Sequence, residues 1–169
     1  MKALIVSDNH GNLDVLEELV AIYKDEVDLW LHCGDSEFIS TNPIWEKYQT
    51  VRGNMDIGYT LPLERLEDFG GENILVVHGH NHRVGFTLDI LKELAVEQDA
   101  DMVFYGHTHI AKVDKTDDLY FINPGSIVQP RGALRIGSYA IYEKNTDGRF
   151  IRFFDWNHNE IKELSTALD

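Results

Sequence analysis

The chain opens Met1-Lys2-Ala3-Leu4-Ile5-Val6-Ser7-Asp8-Asn9-His10, and the reading of these residues decides the fold. Residues 2–6 are a short apolar run that ends in turn-forming residues, the pattern of a buried strand. An Asp-x-His sequence follows at once. The same arrangement recurs downstream. Asp28-Leu29-Trp30-Leu31-His32-Cys33 runs into Gly34-Asp35, and a strand near residues 48–52 runs into Gly53-Asn54-Met55-Asp56. Asn73-Ile74-Leu75-Val76-Val77 is followed by His78-Gly79-His80, and Met102-Val103-Phe104-Tyr105 by Gly106-His107-Thr108-His109.

Helices fit between these strands. Asn12 is placed to cap a helix over residues 13–24, where Leu13, Leu16, Leu19, Val20 and Tyr23 recur at helical spacing. A second helix over residues 87–97 carries Leu88, Leu91, Leu94 and Ala95 on one stripe. Pro43-Ile44-Trp45 reads as a short helical or irregular piece. After residue 110 short β segments alternate with turns, at 119–122, 138–142, 150–154 and 160–164, with no helix among them. The first two-thirds therefore predicts β-α-β units with parallel pairing, and the last third antiparallel hairpins. The expected class is α/β, in part α+β, with two sheets packed face to face and helices outside. No repeat, low-complexity stretch or linker interrupts the chain, so residues 1–169 are read as one domain.

Composition narrows the function. A hydrophobic content of 43% supports a real core, and four prolines and thirteen glycines are ordinary counts, which excludes disordered and collagen-like chains. Cys33 is the only cysteine, so neither an internal disulfide nor a cysteine-rich zinc module is possible. No apolar run approaches the ~18–20 residues that span a bilayer, and the N-terminal run is too brief for a secretory signal. The expectation is a soluble, cytoplasmic protein with no membrane partner. Fifteen Lys+Arg against 29 Asp+Glu give a net charge of −14, spread along the chain, which repels nucleic-acid backbones at long range. A nucleic-acid polymer is accordingly not the expected partner.

Histidine is the outlier. Of eight, six fall in two short stretches or beside Asp8. Ligand sites of open α/β sheets collect at the carboxyl ends of strands, and five strand ends here deliver Asp, Asn or His to one rim. Glycine beside three of them allows sharp turns and close backbone approach. Each motif alone is weak: Asp-x-His after a strand is usually turn chemistry, and Gly-Asp or Gly-Asn an ordinary turn. Jointly they point to metal. Asp8, Asp35, Asn54, His10, His78, His107 and His109 outnumber the four ligands of a closed zinc site and divide between two ions if one carboxylate bridges. A mixed N/O set without thiolate suits Mn²⁺, Fe, Co, Ni or Zn²⁺, with Mn²⁺ the expected occupant, better than Mg²⁺ or Ca²⁺.

In this order, Asp8-x-His10, Gly34-Asp35, Gly53-Asn54, His78 and Gly106-His107-x-His109 resemble the calcineurin-like metallophosphoesterase superfamily. The short length, the Asn123-Pro124-Gly125-Ser126 turn and the C-terminal β segments are similar to its small bacterial and archaeal YfcE-like phosphodiesterases. The resemblance spans essentially the whole chain. It implies a four-layer αββα sandwich around a dinuclear centre. In it Asp8, His10, Asp35 and His109 would hold one ion, and Asp35 would bridge to a second completed by Asn54, His78 and His107. A hydroxide between the ions would attack phosphorus in line, and Asn54 and His80 are candidates for contacting the substrate.

One position departs from the family. Many relatives carry histidine directly after the Gly-Asn, where this chain has Met55, which cannot donate a proton. Esters with good leaving groups are then favoured, since acid assistance is typically worth 10²–10⁴-fold. Asp56 is a candidate for orienting a ligand. His80, His82 and Arg83 read as a polar solvated loop more readily than as catalytic residues, His32 as a strand-end histidine beside Cys33, and His158 as exposed. The aromatic residues Trp30, Trp45, Phe153, Phe154 and Trp156 are assigned to the core or to an oligomer contact. The leading expectation is hydrolysis of small phosphodiesters. The alternatives are a phosphomonoesterase or phosphoprotein phosphatase on the same centre, or a non-catalytic scaffold of the retromer-subunit kind. An exposed C-terminal β edge would suit a homodimer.

Overall fold

The computed structural model describes all residues from Met1 to Asp169. Eleven strands and two α-helices follow one another in the order β1 (Lys2–Val6), α1 (Leu13–Tyr23), β2 (Leu29–His32), β3 (Gln49–Thr50), β4 (Glu64–Asp68), β5 (Asn73–Val77), α2 (Asp89–Glu97), β6 (Met102–Phe104), β7 (Lys112–Thr116), β8 (Leu119–Asn123), β9 (Ser138–Asn145), β10 (Gly148–Asp155) and β11 (Thr166–Leu168), with short 3-10 helices at Pro43–Glu46, where a helical piece was expected, and at His80–His82. One sheet has the order β11-β10-β9-β1-β2-β3 and the other β4-β5-β6-β8-β7.

Strand periodicity sorts the apolar side chains into layers, because successive residues point to opposite faces. Ala3 and Ile5 of β1, Ile74 and Val76 of β5, Phe104 of β6, and Tyr142 of β9 face the space between the sheets. Their neighbours Leu4, Val6, Tyr139 and Ile141 turn outward onto Leu16 and Leu19 of α1. Leu75, Val77, Val103 and Tyr105 turn outward onto Leu91 and Ala95 of α2. The result is the expected α-β-β-α sandwich. Asn12 caps α1 as its position predicted, its side chain accepting from the amide of Val15 at 3.3 Å.

Pairing directions place the site. Strands β1, β2 and β3 run parallel, and so do β5, β6 and β8. Their carboxyl ends therefore share one rim, where the loops of both sheets meet. Antiparallel β9, β10 and β11 extend the first sheet on its other side.

Several expectations need correction. Strands β4 (Glu64-Arg65-Leu66-Glu67-Asp68) and β7 (Lys112-Val113-Asp114-Lys115-Thr116) carry too much charge to read as apolar runs. Both are sheet edges, where charge discourages pairing with other chains. Strand β8 forms the expected antiparallel hairpin with β7, but it also pairs parallel with β6 and so joins the parallel core as well. The strand placed at 160–164 is instead a turn. Glu160 makes one isolated bridge to Phe154, the amides of Leu164 and Ser165 return to the carbonyl of Ile161, and the edge strand comes later, at 166–168. His158 is half-buried, bonded to the Tyr139 hydroxyl at 3.0 Å and to Glu18 at 3.1 Å. Trp30 and Phe153 are core, as assigned, while Trp156 is 48% exposed.

Candidate metal centre

The turns at the rim are tight enough to force unusual backbone. Asp8 (φ 55°), His10 (41°), Asp35 (56°), His107 (69°) and His109 (60°) all sit in the left-handed region. Non-glycine residues are uncommon there, and such conformations cluster at functional sites where the surroundings over-determine them. The glycines of the motifs have a second task, close approach. A Cβ on Gly34 would lie 2.8 Å from His78 Nδ1, and one on Gly106 would lie 2.6 Å from Asp8 Oδ2. Only glycine lets the loops of one sheet pass the ligands of the other.

All seven expected ligands converge. In one half, His109 Nε2 lies 3.0 Å and His10 Nε2 3.7 Å from Asp8 Oδ1, and the two imidazole nitrogens lie 3.2 Å apart. In the other, His78 Nε2 lies 3.2 Å from Asp35 Oδ2 and 3.0 Å from Asn54 Oδ1, which is also 3.0 Å from His107 Nδ1. Asp8, His10 and His109 form one group of mutually close ligand atoms, and Asp8, Asp35 and His78 another, so Asp8 reaches both halves.

These atoms suit cations on their own chemistry. His78 Nδ1 donates to the carbonyl of Cys33 at 2.7 Å, and His109 Nδ1 to that of Gln129 at 2.8 Å. A carbonyl only accepts, so each ring carries its proton outward and turns an Nε2 lone pair inward. Asp8 Oδ1, fully buried, has no hydrogen-bond donor although His109 Nε2 is beside it. Lone pairs facing lone pairs at hydrogen-bond distance, without an intervening hydrogen, are the arrangement a divalent transition-metal ion satisfies. The residues fit two such ions.

The supports behind the ligands are partly legible in sequence. Asp56 binds no imidazole; its carboxylate accepts from the amides of Asp35 (3.0 Å), Gly53 (2.6 Å) and Glu37 (2.7 Å) and from the Ser36 hydroxyl (3.2 Å). It ties the Gly34-Asp35 and Gly53-Asn54 turns into one unit. Ser126 Oγ donates to the Asp8 carbonyl at 2.8 Å, and Asn123 Nδ2 to that of Gly106 at 2.9 Å, so the Asn123–Ser126 turn buttresses the ligand loops from behind. His32, expected only as a strand-end histidine, is buried and joins the first two loops. Its Nε2 donates to Asn9 Oδ1 at 2.8 Å, and its Nδ1 accepts from the Gly34 amide at 3.1 Å. The Gln129 carbonyl was invisible in sequence because any residue could supply it.

Electrostatics reinforce the pairing. Burial pushes the Asp35 carboxyl up, but the His78 imidazole and the Met55 amide outweigh it and hold Asp35 below the usual carboxylate range. Burial pulls His78 down, and Asp35 and Asp8 more than restore it, leaving it above an ordinary histidine. His107 is lowered by burial and by neighbouring His78. His80 stands beside the centre, its ring 5.3 Å from that of His78 and 6.3 Å from that of His107. Its Nδ1 is buried without a partner. Burial and the two imidazoles bring it down to about 4.

The centre opens into a cleft of about 330 Å³, lined among others by His10, Asp35, Asn54, His107 and His109. Met55, 49% exposed, sits on its wall, with Glu37 and Arg131 also on the rim. Arg131 was not singled out by any motif.

Comparison with known proteins agrees with this geometry. The calcineurin-like phosphoesterase superfamily domain matches residues 1–147. The chain belongs to that superfamily, a family of metal-dependent phosphoric ester hydrolases. It is 41% identical over 168 residues to "Probable metallophosphoesterase YsnB" of Bacillus subtilis, covering 99% of each chain. It is 32% identical over 147 residues to "Phosphodiesterase MJ0936" of Methanocaldococcus jannaschii, covering 74% of this chain and 83% of that one. A solved predicted phosphoesterase from Streptococcus pneumoniae superimposes with a TM-score of 0.92 at 33% identity, covering 98% of this chain and 95% of that one. Vps29 of Chaetomium thermophilum, at 21% identity and a TM-score of 0.75 (95% of this chain, 92% of that one), shares the fold.

Proposed function

We propose that this chain is a phosphodiesterase acting on small phosphodiesters with two divalent transition-metal ions, Mn²⁺ first among them. Asp8, His10, Asp35 and His109 would hold one ion, and Asp35 would bridge to the ion completed by Asn54, His78 and His107. The observation that carries the reading is the buried, donorless Asp8 Oδ1 facing the inward lone pair of His109 Nε2 at 3.0 Å. When bound, the cations supply an activated water for in-line attack on phosphorus and offset charge on the phosphoryl oxygens.

The protein's own residues set the rest. The carbonyls of Cys33 and Gln129 fix the tautomers of His78 and His109, so neither ring has to reorient during turnover. Asn54 would touch a phosphoryl oxygen, a role supported by its exposure at the cleft wall between His78 and His107. His80 is the nearest remaining imidazole for a substrate contact. Met55 offers no proton to a leaving oxygen, which favours aryl and other good leaving groups. A monoanionic diester also suits the cleft better than a dianionic monoester, because Glu37 stands on its rim and the chain carries a net charge of −14.

The test is hydrolysis of a chromogenic aryl diester beside its monoester by chelator-stripped protein, each metal being restored in turn. Metal-restored cleavage favouring the diester is the expected result. Monoester preference would replace the reading with a phosphatase. Two bound ions without hydrolysis of either ester would leave a scaffold.

A further inference from the structure

Arg131 is the one strongly basic side chain lining the cleft. Its backbone amide donates to the His109 carbonyl at 2.9 Å, which pins the residue beside the Asp8–His10–His109 half of the centre. The other arginines are mostly spoken for. Arg65, Arg149 and Arg152 pair with carboxylates, and Arg52 and Arg83 lie over the rings of Tyr59 and Phe86. In a chain with 29 acidic residues, the Arg131 guanidinium enters no ion pair.

Arg131 also lines a second hollow, of about 440 Å³, whose walls are otherwise Ile110, Ala111, Ala133, Leu134, Ile161, Leu164 and the single acid Glu163. The two spaces join in sequence as well as in space, since ligand His109 is followed directly by Ile110. Gly132, with a φ of 80°, turns the chain over the Ile110 side chain; a Cβ there would sit 3.3 Å from Ile110 Cγ2. Arg131 thus lines both the cleft and the apolar groove, and Arg suits the planar, bidentate recognition of phosphoryl oxygens.

Resting on the phosphodiesterase reading, we infer that the substrate is a phosphodiester with one apolar ester group, aromatic or alkyl, which lies in the Ile110–Leu134–Leu164 groove while Arg131 holds a phosphoryl oxygen. The groove offers almost nothing to read the hydrogen-bonding edge of a nucleobase, which argues for a plain hydrocarbon group. It adjoins the His109 half of the centre, whereas Met55 and Asn54 belong to the other half. The groove therefore holds the ester group that stays on phosphorus. In hydrolysis the oxygen of water bonds to phosphorus, the other ester oxygen leaves with its electron pair, the protons of water pass to solvent, and the monoester of the apolar group remains.

The experiment compares methyl, phenyl and 2-naphthyl diesters that share a 4-nitrophenyl leaving group, using metal-restored protein. Filling an apolar pocket should raise kcat/KM from methyl to naphthyl by roughly 10-fold or more. Leu134→Asn and Ile110→Asn, at half-buried and 40% exposed positions, should pull that ratio towards unity. Arg131→Gln should lower kcat/KM for all three diesters by about 10-fold or more, with partial rescue by Arg131→Lys and with metal content unchanged. Hydrolysis with no dependence on the size of the retained group, or a ratio untouched by both asparagine variants, overturns the groove. Hydrolysis insensitive to Arg131→Gln overturns the arginine's role. Failure to hydrolyse any ester instead defeats the phosphodiesterase reading beneath.

Discussion

Asp56→Ala should damage stability and metal binding together, by an amount the contacts allow to be worked out. The carboxylate accepts three backbone amides and one hydroxyl. The amides of Asp35 and Gly53 belong to buried residues, while Glu37 is exposed and its amide can turn to water. A hydrogen bond to a charged group contributes about 1.5–3 kcal/mol, and stranding a buried donor forfeits most of that. Two stranded donors give an expected loss of about 3–5 kcal/mol in urea unfolding of the chelated protein. Asp56→Asn keeps an acceptor oxygen and should fall between. The same carboxylate fixes the backbone that carries Asp35 and Asn54, so affinity for divalent metal should drop about 10–100-fold in a calorimetric titration. If Asp56→Ala unfolds at the wild-type midpoint and still binds two ions with unchanged affinity, Asp56 is not the tie between these turns.

Gly106→Ala should fold but lose metal from the Asp8 half, because its methyl group would lie 2.6 Å from Asp8 Oδ2 and 3.1 Å from the Cys33 carbonyl; bound metal per chain by elemental analysis reads this directly. Met55→His should speed hydrolysis of diesters with poor alkyl leaving groups by about 10-fold or more and leave aryl esters nearly unchanged, as leaving-group acid assistance requires. His32 sets an acid limit. Burial brings it down to about 4, against 6.5 in the unfolded chain, and its Nδ1 faces the Gly34 amide hydrogen, so the folded protein resists the proton that the unfolded chain takes up. Stability should therefore fall from pH 6.5 towards pH 4 at about 1.4 kcal/mol per pH unit and change little outside that window on this account. The difference between wild type and His32→Gln across the window isolates the effect, and parallel curves would refute it.

What the sequence made legible follows from where information resides. The three-layered core could be read because Ala3–Val6, Ile74–Val77 and Met102–Tyr105 are apolar on both faces, as strands covered on both sides must be. Strands β4 and β7 could not, since an edge needs only backbone partners and tolerates Glu64, Arg65, Lys112 and Asp114. The ligands were visible because metal chemistry demands particular side chains after particular strands. Their supports were visible only where a side chain does the supporting, as with Asp56. A carbonyl such as that of Gln129 leaves no trace in residue type, and Arg131 carries no spacing signal because it reaches the cleft from a long loop after β8.

Strain at the rim bears on the choice between function and stability. Five ligand residues hold left-handed backbone, each at a cost of about 1–3 kcal/mol, a sum comparable to the 5–15 kcal/mol net stability of a typical domain. The loops persist because Asp56, His32, Asn123 and Ser126 tie them from behind. His10 is the clearest case, since its φ of 41° comes with little tying of its own side chain beyond His109 Nε2 at 3.2 Å and Glu37 at 3.5 Å. Asparagine enters left-handed backbone more readily than histidine's larger ring-bearing side chain does. His10→Asn should therefore stabilise the chelated protein by about 0.5–1 kcal/mol in urea unfolding. In excess Mn²⁺ the order should reverse, because the wild type gains RT ln(1 + [M]/Kd), about 4 kcal/mol at a thousandfold excess over Kd, and the variant gains less. A variant less stable than wild type in chelator would mean that the ligand loop is not strained against the rest of the fold.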